Sequence, residues 1–222
     1  MERKGISTVV AAALIVVIAL GLTSTAYIWG APLIQKRQEA STTENVFNLF
    51  SQTNQNSLPE IIEDVASNRG VKTFGVNGNG VWKLNVAENS IEYLFSSKTS
   101  NVAADTVNPV SLTPGVQCTG TSPYLESPSP STGTLGQDSS SVVCVKATTQ
   151  GDTFAIRYKI WFREVDDNPF SPTQGYQIIL EKDPTGLVTS TGSIVKITYD
   201  DTAQQTIGGK TLITKKIKIL LI

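Results

Sequence analysis

The sequence predicts an α+β fold, with a long N-terminal hydrophobic α-helix followed by a mainly antiparallel, β-sandwich-like domain. Two observations carry this. No residue between Gly5 and Gln35 bears a charge, and that stretch is apolar on every side of a helix. From Val71 onward the pattern changes to short runs rich in Val, Ile, Thr, Tyr and Phe, separated by turn residues at sandwich-like spacing.

Composition narrows the function classes. The 222 residues are 40% hydrophobic, enough for a real core, and 18 basic side chains stand against 19 acidic ones. That balance leaves no electrostatic footprint for nucleic acid. Histidine is absent, which removes the usual general base of hydrolases and the commonest metal ligand.

The apolar segment runs from Ile6 to Ile34. As a helix rising about 1.5 Å per residue it reaches about 43 Å, beyond the roughly 30 Å hydrocarbon core of a bilayer. Tyr27 and Trp29 lie near its far end, where amphipathic rings favour the headgroup zone, and Lys36 and Arg37 follow on the water side. Pro32 is expected to kink or loosen the last turn. Three readings stand: a permanent anchor, a signal peptide cut after Ser24-Thr25-Ala26, and a pilin-type N-terminus that is first an anchor and later a filament core. Against the signal peptide, the apolar run continues past Ala26 through Ile28, Trp29, Leu33 and Ile34.

The residues ahead of the run are Glu2-Arg3-Lys4-Gly5, then Ile6-Ser7-Thr8-Val9-Val10. Here the first 35 or so residues resemble the archaeal type IV pilin and archaellin N-terminal family. The resemblance implies a leader at residues 1–5, cut between Gly5 and Ile6 by a prepilin-type peptidase, and a transmembrane or filament-core helix at 6–36. In that helix Val9, Ala13, Leu14, Val17, Leu20 and Gly21 are expected at the filament core, where small side chains permit close approach. Bacterial relatives of this layout carry Glu at the fifth mature position, whereas this chain has Val10. The resemblance further implies a helical homopolymer as the product, with an assembly ATPase and a membrane platform protein as partners. It also implies that the precursor sits in the cell membrane and the mature subunit in an extracellular filament used for adhesion or surface attachment. The alternative is a non-polymerising membrane-anchored extracellular β-domain for binding or sensing; an anchored hydrolase is disfavoured by the missing histidine.

Residues 37–70 read as a helical connector. Val46, Phe47, Leu49 and Phe50 fall largely on one side, so the first helix is expected to emerge and dock on the domain. Ser57-Leu58-Pro59-Glu60 reads as an N-cap followed by a Glu three positions on, opening a short amphipathic helix closed by Gly70. The β-rich domain spans 71–222. Asn77-Gly78-Asn79-Gly80 predicts a hairpin between the runs that flank it. Further strands are expected at 91–95, 142–147, 153–163, 176–181, 193–199 and 211–222, about eight in all. The alternation over 153–163 predicts one buried face. The apolar terminus Ile217 to Ile222 must be central or covered.

Residues 119–141, rich in Pro, Gly, Ser and Thr, read as a long surface loop, and loops of this length are often functional. Cys118 and Cys144 bracket it. In an extracellular setting their pairing is expected, worth about 3 kcal/mol of unfolded-state entropy. Asp166-Asp167-Asn168-Pro169 and Asp200-Asp201 read as turn chemistry and match no calcium-loop spacing. Glu164, Asp166 and Glu181 cannot be placed relative to one another by sequence. No metal or cofactor is expected, and no catalytic residue is assigned.

Overall fold

The computed structural model describes residues 8–222 except Thr53, Asn77, Ser122 and Pro123, and the side chains of Thr8 and Val9. Helix α1 covers Thr8–Phe50 without a break, a rod of about 64 Å. It runs through Pro32, whose missing N–H removes one rung of the hydrogen-bond ladder, and through position 36 into the segment read as a connector. Helix α2, Leu58–Asn68, has Pro59 in its first turn and ends at Arg69 in the left-handed conformation (φ 54°). Ser57 occupies the N-cap position, but its hydroxyl makes no cap bond and is buried without a partner. The cap expected from the sequence is therefore positional only.

Among the described residues twelve strands form two six-stranded sheets, an α+β arrangement with a sandwich-like domain as predicted. In the first sheet the order is β1 (Val71–Gly75), β11 (Ile194–Ile207), β12 (Lys210–Leu221), β9 (Gln174–Lys182), β8 (Glu164–Asp166) and β5 (Thr132–Thr134). In the second it is β10 (Thr189–Ser190), β2 (Gly80–Asn85), β3 (Ser90–Ser97), β7 (Thr153–Phe162), β6 (Ser141–Gln150) and β4 (Val110–Ser111). Pairing is antiparallel except for β12 with β9 and β5 with β8.

The core lies between the sheets and follows from period-two patterning. Ile91, Tyr93 and Phe95 of β3, with Ile156, Tyr158 and Ile160 of β7, face Ile178 and Leu180 of β9 and Ile217, Ile219 and Leu221 of β12. The C-terminal strand is thus central, as its apolar end demands. Helix α2 packs Ile62, Val65 and Ala66 against the first sheet at β1, β11 and β12. Helix α1 contributes Val46 and Phe50, both fully buried. The Phe50 ring stacks on Tyr158 at 4.7 Å and on Trp82 at 6.0 Å.

Three expectations are corrected. The runs on either side of Gly78-Asn79-Gly80 do not form a hairpin: β1 pairs with β11 and β2 with β3, in different sheets. Phe74 and Trp82 instead meet edge-on across the core at 6.5 Å, and burying both side chains this way outweighs the local turn signal. Gly80 is needed for a different reason, since a Cβ there would lie 2.3 Å from the Tyr93 ring.

Strand β7 is buried on both faces over its second half, because Lys159 and Trp161 are also covered. The cover comes from the segment read as a surface loop. Cys118 and Cys144 form a disulfide (Cα–Cα 5.9 Å) that holds this segment against β6. Val116, Cys118 and Leu125 then pack on Val142, Cys144 and Trp161 as a second, smaller apolar cluster. The same segment supplies β5 and bridges Gln117 to Ser129.

The sheets are also joined by one polar side chain. Asn89, left-handed (φ 49°) in the β2–β3 turn, donates from Nδ2 to Phe162 O (2.8 Å) and Ile178 O (2.6 Å). Its Oδ1 accepts from the Leu180 amide at 2.8 Å, which ties the second sheet to β9 of the first.

Candidate functional site

The feature that most needs a partner is the free part of α1. Its docked face repeats at helical spacing through Thr43, Val46 and Phe50, with Thr42, Phe47 and Leu49 half-buried beside them. Thr43 Oγ1 shares hydrogen bonds with Ser97 Oγ (2.9 Å) and Thr99 Oγ1 (3.3 Å), and the Lys98 amide donates to Glu39 Oε2 at 2.9 Å. At the end of the helix, Gln52 Nε2 donates to Ser141 O at 2.7 Å.

N-terminal to Glu39 the helix leaves the domain. Among the described residues it is the single helix long and apolar enough to cross a membrane, and its apolar stretch is not covered by the rest of the chain. Leu14, Val17 and Leu20 are 53%, 66% and 63% exposed, Ala13 is exposed, and a Cβ at Gly21 would meet nothing within 4 Å. Val9 is helical in backbone, and Gly5 and Ile6 lie outside the described residues. From Val10 to Ile34 the exposed apolar surface is about 36 Å long. Two of its hydroxyls are satisfied within the helix: Thr23 donates to Ala19 O (2.7 Å) and Thr25 to Gly21 O (2.8 Å). Such back-bonded threonines carry no unmet polar group into an apolar surrounding. Tyr27 and Trp29 are exposed within about a turn and a half before Pro32.

A concave feature lies on the outer face of the second sheet, where Tyr124 to Ser127 stand beside β2, β3 and β7. This cleft of about 440 Å³ is lined by Lys83, Glu88, Glu92, Tyr124, Arg157 and Lys159, among others. Its charges are internally matched. Arg157 pairs with Glu92, and Lys159 Nζ lies 2.5 Å from Glu88 Oε2. The Arg157 guanidinium sits 5.9 Å from the Tyr124 ring centre.

The acidic clusters resolve into separate local roles. Asp167 is held down to about 2 by the Thr173 hydroxyl, then by the Gln174 and Thr173 amides. Asn168 Oδ1 accepts from the Phe170 and Ser171 amides, closing the loop tip. Asp200 pairs with Lys218, and Glu181 with Lys216 at 3.2 Å. Glu164 and Asp166 meet at Lys210. Among the described residues no group of three or more His, Cys, Asp or Glu is placed to hold a metal ion.

Sequence reasoning did not single out Glu39, Thr43 or Asn89, which fix the helix to the head and one sheet to the other. The alternation of Glu164 with Asp166 was a readable signal that both share one strand face; nothing in the sequence pointed to Lys210 as their partner. No protein-family model, curated protein or solved structure matches this chain.

Proposed function

We propose that the chain is a structural subunit of an extracellular filament of the type IV pilus kind, held in the membrane by α1 before assembly and acting in adhesion or surface attachment. The observation that carries this reading is the construction of α1. One continuous helix has its last three turns built into the core of the head, while its first six or seven turns offer lipid-compatible surface all round.

A rod of that kind is stable in hydrocarbon or among equivalent rods, where small residues such as Ala11, Ala12, Ala13, Ala19 and Gly21 allow close approach. Exchange of lipid neighbours for copies of itself therefore leaves its apolar surface covered throughout. The partners in this reading are further copies of the chain, with a prepilin peptidase, an assembly ATPase and a membrane platform protein as the machinery. Tyr124 and the charge-matched cleft beside it supply an outward surface suited to contact with a polar target.

N-terminal sequencing of the native protein, followed by electron microscopy of sheared cell-surface material, tests the reading. A chain that begins at Ile6 and is present in filaments supports it. A chain that begins at Met1 and stays monomeric in detergent identifies a non-polymerising anchored domain instead, and one that begins at Tyr27 identifies a secreted domain.

A further inference from the structure

Glu164 and Asp166 are two apart on β8 and point to the same outer face of the first sheet. Asp166 is in register with Gly175 of β9, and Gly175 with Leu212 of β12. Lys210, two residues before Leu212, reaches back over the glycine to the same point. A Cβ at position 175 would lie 2.6 Å from Lys210 Cε, 2.7 Å from Glu164 Oε1 and 3.0 Å from Asp166 Oδ1. The missing side chain is what lets the three groups converge.

Lys210 Nζ is 2.5 Å from Asp166 Oδ1 and touches Glu164 Oε1; the side chains of Lys210, Glu164 and Asp166 are only 19%, 23% and 14% exposed. Asp166 Oδ1 itself is wholly buried, yet it accepts no hydrogen bond of normal geometry. The amine is therefore pressed against the carboxyl group without being aligned as its donor. The Lys218–Asp200 pair has the same 2.5 Å separation but is a regular hydrogen bond on a more exposed site.

We propose that Lys210 and Asp166 become joined by an intramolecular amide bond, formed by the chain itself with Glu164 as proton relay. Burial pulls the Lys210 pKa down, but Asp166 and Glu164 together hold it above its usual value, so the reaction starts from the ammonium. The ammonium passes one proton to Glu164. The neutral amine attacks Asp166 Cγ and the N–C bond forms. One carboxyl oxygen of Asp166 then leaves as water, its C–O bond breaking, with one proton from the attacking nitrogen and one from Glu164, which returns to the carboxylate. Ammonium and carboxylate give amide and water, with no change of oxidation state and no co-reactant. The bond would tie short β8 across β9 to the central strand β12.

Tryptic mapping of the full-length protein, purified in detergent, tests this. In the wild type, cleavage after Lys210 should be lost, and residues 164–182 should be recovered as one branched species with residues 197–215. That species should be lighter than the two linear peptides together by one water, about 18 Da. Lys210→Arg keeps the positive charge and Glu164→Gln keeps the side-chain shape; both should return linear peptides. Linear peptides from the wild type overturn the proposal and leave an ion triad. A branch on Glu164 overturns the assignment of roles, as does an undiminished branch in Glu164→Gln.

Discussion

Phe50→Ala tests whether the end of α1 belongs to the core of the head or merely tethers it. Phe50 is fully buried, and its ring stacks on Tyr158 at 4.7 Å, Trp82 at 6.0 Å and Tyr93 at 6.2 Å. Truncation removes the apolar area of a whole ring and leaves a void walled by three aromatic side chains that are pinned by their own strands. Phe→Ala at such sites costs about 3–5 kcal/mol, and the stiff walls place this one in the upper half of that range. A domain with about 5–15 kcal/mol of total stability would keep its fold with a visibly lowered midpoint. The assay is urea unfolding of the full chain in detergent, followed by the near-ultraviolet circular dichroism of the packed aromatic cluster in a Tyr27→Leu, Trp29→Leu background that removes the rings of the helix in the micelle. Asn48→Ala, an exposed change on the same helix, should fall within about 0.5 kcal/mol of wild type. A loss below about 1 kcal/mol for Phe50→Ala would refute the reasoning, because the docked turns would then contribute nothing to the head.

Asn89→Gly keeps the left-handed turn but removes three hydrogen bonds, two of them to β9 of the opposite sheet. It should cost about 2–4 kcal/mol, with Asn89→Ala worse by the strain of φ 49°, read by the same unfolding curves. Reduction of Cys118–Cys144 frees a loop of sequence separation 26 and should lower stability by about 3 kcal/mol, with new protease cuts between residues 119 and 131 as the direct sign. Asp167 is depressed to about 2 by Thr173 and Gln174, so its contribution to the β8–β9 loop is present above the unfolded carboxylate value near 4. That contribution is lost as pH falls through about 2. The protection factor of the Thr173 amide, taken against the intrinsic exchange rate at each pH, should be level above about pH 5 and fall on acidification, and Asp167→Asn should abolish that acid dependence.

What the sequence disclosed and what it hid follow from how far apart the deciding partners lie. The apolar rod, α2, and strands such as Ser90–Ser97 and Thr153–Phe162 announce themselves through their own periodicity. The polar half of β11, Asp200 to Ile207, carries no apolar alternation; its extension rests on pairing with β12 through a turn at Gly208 and Gly209, with φ of 59° and 89°. The two-residue strands β4 and β10 are equally silent, being defined only by neighbours. Leu125 reads as a stray apolar residue in a polar loop until the disulfide brings Val116 and Trp161 beside it. At the helix, exposure of Leu14, Val17 and Leu20 was implicit in their composition, whereas Lys210 reads as a turn residue until β12 is laid beside β9.

The unbroken path of α1 from its greasy tip to Phe50 gears the head to the rod. Each residue of helix advances about 1.5 Å and turns about 100°, so in the filament proposed above the azimuth of the sandwich would be dictated by whichever stripe of the rod the neighbouring copies grip. Adding a single alanine between Arg37 and Gln38 would swing the whole outer surface, cleft and all, by more than a quarter turn. In a packed array, spacing along the axis would barely change, while a different side of every subunit would greet the outside world.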